Sequence, residues 1–161
     1  MTNPDGTATR TADGGTQLRF VRKLHHPVAA VWQALTDPEA RAVWFFAGRL
    51  DPHAGGSVEL TDAVTGIHGR VLTVEPPYRL AIIWNSADAP GETVVEFVLA
   101  DHPDGCVLTL THTVGKAANP DSLAAGWHIL LDDLPRYLQG DSAAPAGAWP
   151  VHLARYREKL G

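Results

Sequence analysis

Cysteine occurs once in the 161 residues, at Cys106. A single thiol excludes an internal disulfide and any zinc site built on cysteines. Charge is sparse as well: 19% of residues are Asp, Glu, Lys or Arg, and 13 basic against 18 acidic residues leave a net charge of −5. No basic excess is available to follow a phosphate backbone, so nucleic acid is not expected as a partner. No apolar run reaches the roughly 20 residues that a helix needs to cross a bilayer. The first stretch, MTNPDGTATRTADGGT, holds no apolar core of the kind a secretory signal requires. What remains is a globular composition, 45% hydrophobic. A chain of this length buries roughly 70% of its unfolded surface on folding. These features place the protein among soluble, cytoplasmic single domains.

Residues 1–15 read as a disordered, solvated tail, rich in Gly, Asp and Thr. Residues 16–140 read as the folded body. Residues 141–148, within GDSAAPAGA, have too little apolar surface to fold alone and read as a flexible linker. In residues 149–161, Leu153, Tyr156 and Leu160 recur at helical spacing and predict an amphipathic C-terminal helix. That helix could dock on its own domain or on a second subunit, which leaves a homodimer open.

Within the body, Gln17 to Leu24 alternates as a half-buried strand, although Arg22 falls on its apolar face. His26-Pro27 stops it. Val28, Val31, Trp32 and Leu35 then have helical spacing, and Asp37-Pro38 caps and opens a second short helix with Ala40, Val43 and Trp44 as its stripe, ended by Gly48. A run of five or six strands follows. Val58 and Leu60 share a face in the first. Ile67 to Glu75 is interrupted by Gly69 and ended by Pro76-Pro77. Leu80, Ile82 and Trp84 share a face, as do Thr93, Val95, Phe97 and Leu99, and then Cys106, Leu108, Leu110 and His112. Asn119-Pro120 opens a long helix with the stripe Leu123, Trp127, Leu130, Leu131, Leu134 and Leu138. Pro135 lies inside it and Gly140 ends it. The order predicts an α+β fold in which an antiparallel sheet curves around one long helix and leaves an apolar space between them.

The stretch HPVAAVWQALTDPEARAVW, from His26 to Trp44, resembles the opening of START-like (SRPBCC, helix-grip, Bet v-like) proteins. More narrowly it is similar to the activator of heat-shock protein 90 ATPase homologue group. GRVLTVEPPYRL from Gly69 to Leu80, with Trp84, resembles that group's strand–turn–strand segment. LTLTHT from Leu108 to Thr113 resembles its last strand, and Gly126-Trp127 with Leu131, Leu134 and Leu138 its C-terminal helix. The resemblance spans about residues 16 to 140. It implies a helix-grip domain with two short helices after the first strand. It also implies one of three roles: binding of small apolar molecules, a cyclase or aromatase activity on polyketides without a cofactor, or assistance to a chaperone through the outer surface.

In such a fold Trp44, Phe46, Trp84, Phe97, Leu99, Leu110, Trp127, Leu130 and Leu131 converge between sheet and helix. They could line a site for a small apolar or aromatic ligand, or simply fill the core. His112 lies on the same inward face. There it could orient a ligand or exchange a proton, or be a core histidine bonded to its neighbours. His68 could anchor a polar ligand atom from the cavity side; Arg70 and Asn85 are read on the solvated face, and Trp32 as structural. His25 and His26 point to opposite faces of an extended segment, which is poor chelation geometry. His53, His102 and His152 are read in loops or tail, so no metal site is expected. Cys106 reads as a buried, inert thiol. No glycine-rich phosphate loop opens a helix, and no cofactor is expected. The reading is a cofactor-free binding module for a small, largely apolar molecule.

Overall fold

Alternation sets the sheet. In β8 (Gly105–Val114) Cys106, Leu108, Leu110, His112 and Val114 are buried, while the residues between them face outward. β7 (Thr93–His102) repeats the pattern with Thr93, Val95, Phe97 and Leu99. The two strands pair antiparallel, with Phe97 opposite Leu110 and Val95 opposite His112. Their inward side chains therefore stand side by side on one face. The computed structural model describes residues 4–61, 66–141 and 148–160. The remaining strands are β1 (Thr7–Arg10), β2 (Thr16–Leu24), β3 (Ala47–Leu50), β4 (Ser57–Thr61), β5 (Gly66–Glu75) and β6 (Arg79–Trp84). All eight lie in one antiparallel sheet, ordered β1-β2-β8-β7-β6-β5-β4-β3.

The bend of this sheet is visible in β5. Gly66 to Arg70 pair with β4, whereas Val71 to Glu75 pair with β6. Gly69 sits at the change of partner. A Cβ there would lie 1.8 Å from the Ile83 carbonyl oxygen, so only glycine lets the two backbones approach this closely. The curved sheet wraps α3 (Pro120–Leu138), whose buried side includes Leu123, Ala124, Ala125, Trp127, Leu131 and Leu134. Asn119 caps α3 by accepting from the Ser122 N–H, and Pro135 lies within its last turn. Two short helices, α1 (Val28–Thr36) and α2 (Pro38–Trp44), follow β2. Asp37 caps α2 as its sequence predicts, accepting from the Glu39 N–H. Arg41 is fully buried and donates to the carbonyls of Thr36 at 2.8 Å and Gly48 at 3.0 Å. It thereby satisfies the end of α1, whose last carbonyls have no helical partner. This is the expected α+β helix-grip architecture. Among the described residues no helix is long and apolar enough to cross a membrane.

Two segments depart from the sequence reading. The stretch expected to be a tail contains β1, which pairs with β2 from Thr7 opposite Arg19 to Arg10 opposite Thr16. All four of its side chains are exposed, so hydrophobic patterning holds no trace of it. It forms because the free edge of β2 offers backbone donors and acceptors that need partners. Likewise Gly48, read as the stop of α2, lies inside the strand β3, which pairs with β4. Of the expected linker, residues 142–147 lie outside the described residues.

The C-terminal helix α4 (Ala148–Leu160) docks on its own domain, against α3. Leu153 and Tyr156 are buried in that contact. Tyr156 Oη accepts from the Gly6 N–H at 2.9 Å and meets His128 Nδ1 at 2.8 Å. Asp5 pairs with Arg155 at 2.7 Å and with Lys159 at 3.3 Å. Arg22, the polar exception on the apolar face of β2, reaches Asp132 of α3 at 2.8 Å and the Pro4 carbonyl. One polar cluster thus ties the N-terminal segment, β2, α3 and α4 together.

Candidate functional site

The aromatic side chains meet at one end of α3. Trp84 and Trp127 lie with ring centroids 5.1 Å apart, and Phe45 stacks on Trp127 at 5.9 Å and on Trp44 at 5.0 Å. Phe46 lies edge-on to Trp84 at 5.8 Å. Beside them opens a cavity of about 460 Å³. Its floor is Phe46, Trp84, Trp127 and Leu130; Ser86 to Asp88 form one wall, and Ser122, Leu123, Gly126 and Ile129 of α3 another. Trp149 of α4 stands at its margin, 43% exposed. The Ser86–Asp88 wall is held to α3 by the Asn119 N–H, which donates to the Asp88 carbonyl at 2.9 Å.

Four of the expected lining residues, Phe46, Trp84, Trp127 and Leu130, therefore reach the cavity. Trp44, Phe97, Leu99, Leu110 and Leu131 are in the core beneath it. Trp44 is held there by its indole N–H, which donates to the Ala34 carbonyl at 2.9 Å. His68 requires a correction. It points to the outer face, exposed, with Nδ1 against the Glu59 carboxylate. Inward-facing Ile67 precedes it, and strand alternation then sends His68 outward. Arg70 is also outside, paired with Glu92, and the Asn85 side chain accepts from the Gly91 N–H at 3.1 Å.

His112 is fully buried, and both ring nitrogens are used inside the protein. The Trp127 indole N–H donates to Nδ1 at 3.0 Å. Indole nitrogen only donates, so Nδ1 accepts and the proton sits on Nε2. Nε2 lies 2.8 Å from Thr93 Oγ1, and the Thr93 hydroxyl donates onward to the Trp84 carbonyl. The chain of four groups closes with every donor and acceptor matched. Burial pushes the His112 pKa down to about 3, so the ring is neutral at physiological pH. Its work is to fix Trp84 and Trp127, the cavity floor. A proton-exchanging role has no free nitrogen to use. Cys106 is buried, and its thiol pKa is pushed up by burial and the Asp101 charge.

Several site residues escape sequence reasoning. Ser86, Ala87 and Asp88 lie in a loop without periodicity, and Ser122, Gly126 and Ile129 fall off the apolar stripe of α3. Thr93 was legible only as one inward polar residue in a hydrophobic row. The polar cluster on the other side of α3 had one signal, Arg22 on an apolar strand face.

Comparison with known proteins agrees with this architecture. The crystal structure of CalU16 from Micromonospora echinospora superposes with a TM-score of 0.78 at 26% identity, covering 98% of this chain and 94% of that one. The AHSA1-like protein from Aeromonas hydrophila gives 0.65 at 25% identity, over 77% of this chain and 92% of that one. DynU16, from the dynemicin biosynthetic locus, gives 0.72 at 27% identity over 78% of this chain and 48% of that longer one. No curated protein matches the sequence. Residues 25–139 match the family described as activator of Hsp90 ATPase homolog 1-like protein, and the chain belongs to that family.

Proposed function

We propose that the protein binds a small, largely apolar and flat molecule in the cavity beside Trp84 and Trp127. The observation that carries this reading is the cavity itself: about 460 Å³, floored by aromatic rings whose positions are held by an internal hydrogen-bond chain. That volume falls within the roughly 300–1,000 Å³ typical of small-molecule sites. Aromatic floors favour flat ligands, because stacking adds to the area term of about 25 cal/mol per Å² of apolar surface removed from water. Ser86 and Ser122 supply the few polar groups that orient a ligand in such a site. The origin of DynU16 in a biosynthetic locus supports a biosynthetic small molecule as the first ligand class to try. A cyclase or aromatase reaction would need an acid–base group other than His112.

Gly126 offers a clean test. It lines the cavity, and a Cβ built on it meets nothing within 4 Å. Gly126→Leu therefore fills the cavity while improving helix propensity. With N-phenyl-1-naphthylamine as probe, the wild type should bind one equivalent, and Gly126→Leu should weaken binding by about tenfold or more with no loss of thermal stability. Equal binding by both proteins would move the site elsewhere. Failure of the wild type to bind any of a panel of neutral polycyclic probes would remove the reading.

A further inference from the structure

The polar cluster between α3 and α4 contains a donor set that the apolar cavity does not use. His128 and Asp132 stand one helical turn apart on α3 and so share a face. His128 Nε2 lies 3.5 Å from Asp132 Oδ2. His152, from α4, lays its ring on that of His128 with centroids 4.1 Å apart. One donor atom from each of the three residues falls within 4.8 Å of the other two. His152 Nδ1 is buried and has no hydrogen-bond partner. A buried unpartnered ring nitrogen is costly unless something binds it.

We infer that His128, Asp132 and His152 form a binding site for a borderline divalent cation of the zinc class, which clasps α4 to α3. Two imidazoles and one carboxylate suit Zn²⁺, Co²⁺ or Ni²⁺ rather than Mg²⁺ or Ca²⁺, which prefer all-oxygen shells. Donors on a tetrahedral zinc ion lie roughly 3.3 Å apart, given Zn–N and Zn–O distances near 2.0–2.1 Å. The His128–Asp132 pair is already near that spacing at 3.5 Å. His152 has to tilt out of its stack to complete the set, and it is only half-buried on its helix.

The groups behind the donors are arranged as ligating residues require. Tyr156 Oη holds His128 Nδ1 at 2.8 Å and turns Nε2 toward Asp132. Arg22 bonds Asp132 Oδ1 at 2.8 Å, which leaves Oδ2 facing His128. Such outer partners orient ligands and tune affinity. The Arg22 charge opposes a cation, so the site is expected to bind less tightly than an all-neutral shell would. Three protein donors leave a fourth position for water.

The test uses the untagged full chain, stripped with EDTA and titrated with Co²⁺ and then Zn²⁺. Co²⁺ should produce a visible d–d band that saturates at one equivalent, and Zn²⁺ should displace it and raise the melting temperature. Mg²⁺ should do neither. His152→Ala and Asp132→Asn should each weaken Co²⁺ binding by about tenfold or more. Exposed histidines would instead bind without saturating at one equivalent. If His152→Ala melts lower even in EDTA, Asp132→Asn decides, because its amide oxygen can still accept from Arg22. Lack of saturation at one equivalent, or saturation unchanged in Asp132→Asn, overturns the assignment.

Discussion

The helix α3 carries two buried histidine environments, and they are built on opposite principles. On the cavity side, His112 of β8 accepts from the Trp127 N–H at Nδ1 and donates its Nε2–H to the Thr93 hydroxyl oxygen, so each ring nitrogen has a partner. On the α4 side, His128 has Tyr156 on one nitrogen and only a 3.5 Å approach to Asp132 on the other, with the His152 ring stacked on it. The first network is closed and contributes rigidity. The second is open and contains a nitrogen without a partner. A closed network specifies where its members sit, whereas an open one has capacity left for a ligand.

The largest expected break in this contrast is His112→Ala. It leaves the Trp127 N–H unpaired in the core and opens a cavity against Trp84, so unfolding in urea should show a loss of about 3 kcal/mol or more. A loss below about 1 kcal/mol would mean that the network is not closed in solution. Acid sharpens the contrast more gradually. The folded state holds His112 near pKa 3 against 6.5 for the free side chain. Between those values the unfolded chain takes a proton that the folded state refuses, so stability is full above about pH 6.5 and falls as pH drops toward 3. The slope from this group approaches about 1.4 kcal/mol per pH unit and should vanish in His112→Gln, measured by urea midpoints at several pH values. The smallest effect belongs to the other side. Tyr156→Phe removes the hydroxyl that joins Gly6 to His128, and about 1–2 kcal/mol should be lost, with faster exchange of the Gly6 amide. No change in that exchange would show that α4 is held by its apolar stripe alone.

Much of the fold was legible because burial in the sheet follows period two and α3 follows period 3.6. β7 and β8 read directly from Thr93 to Leu99 and from Cys106 to His112. The caps at Asp37 and Asn119 were likewise local chemistry. What escaped was set by a segment's partners rather than by its own side chains. β1 is defined by the backbone edge of β2 rather than by its own side chains. His68 and its neighbours were ambiguous because either strand face accepts a histidine next to Gly69. The site was legible in its rings and not in its walls: Trp84 and Trp127 stood out as aromatic positions, whereas Ser86 to Asp88 become walls only when a loop is tied to the start of α3. Arg22 was the informative misfit: it breaks the apolar face of β2 and proves to be part of the polar cluster that also holds His128.

The two strands at the ends of the sheet order, β1 and β3, are each four residues long, and each carries an arginine, Arg10 in one and Arg49 in the other. Long uncharged edges would offer a template onto which other chains could add strand by strand. Here the template is short at both ends, and the β3 arginine is already paired with Asp51 at 2.9 Å, so two copies meeting edge to edge would gain few ladder bonds. The same short strands that hydrophobic patterning does not reveal therefore act as guards against self-assembly into fibres.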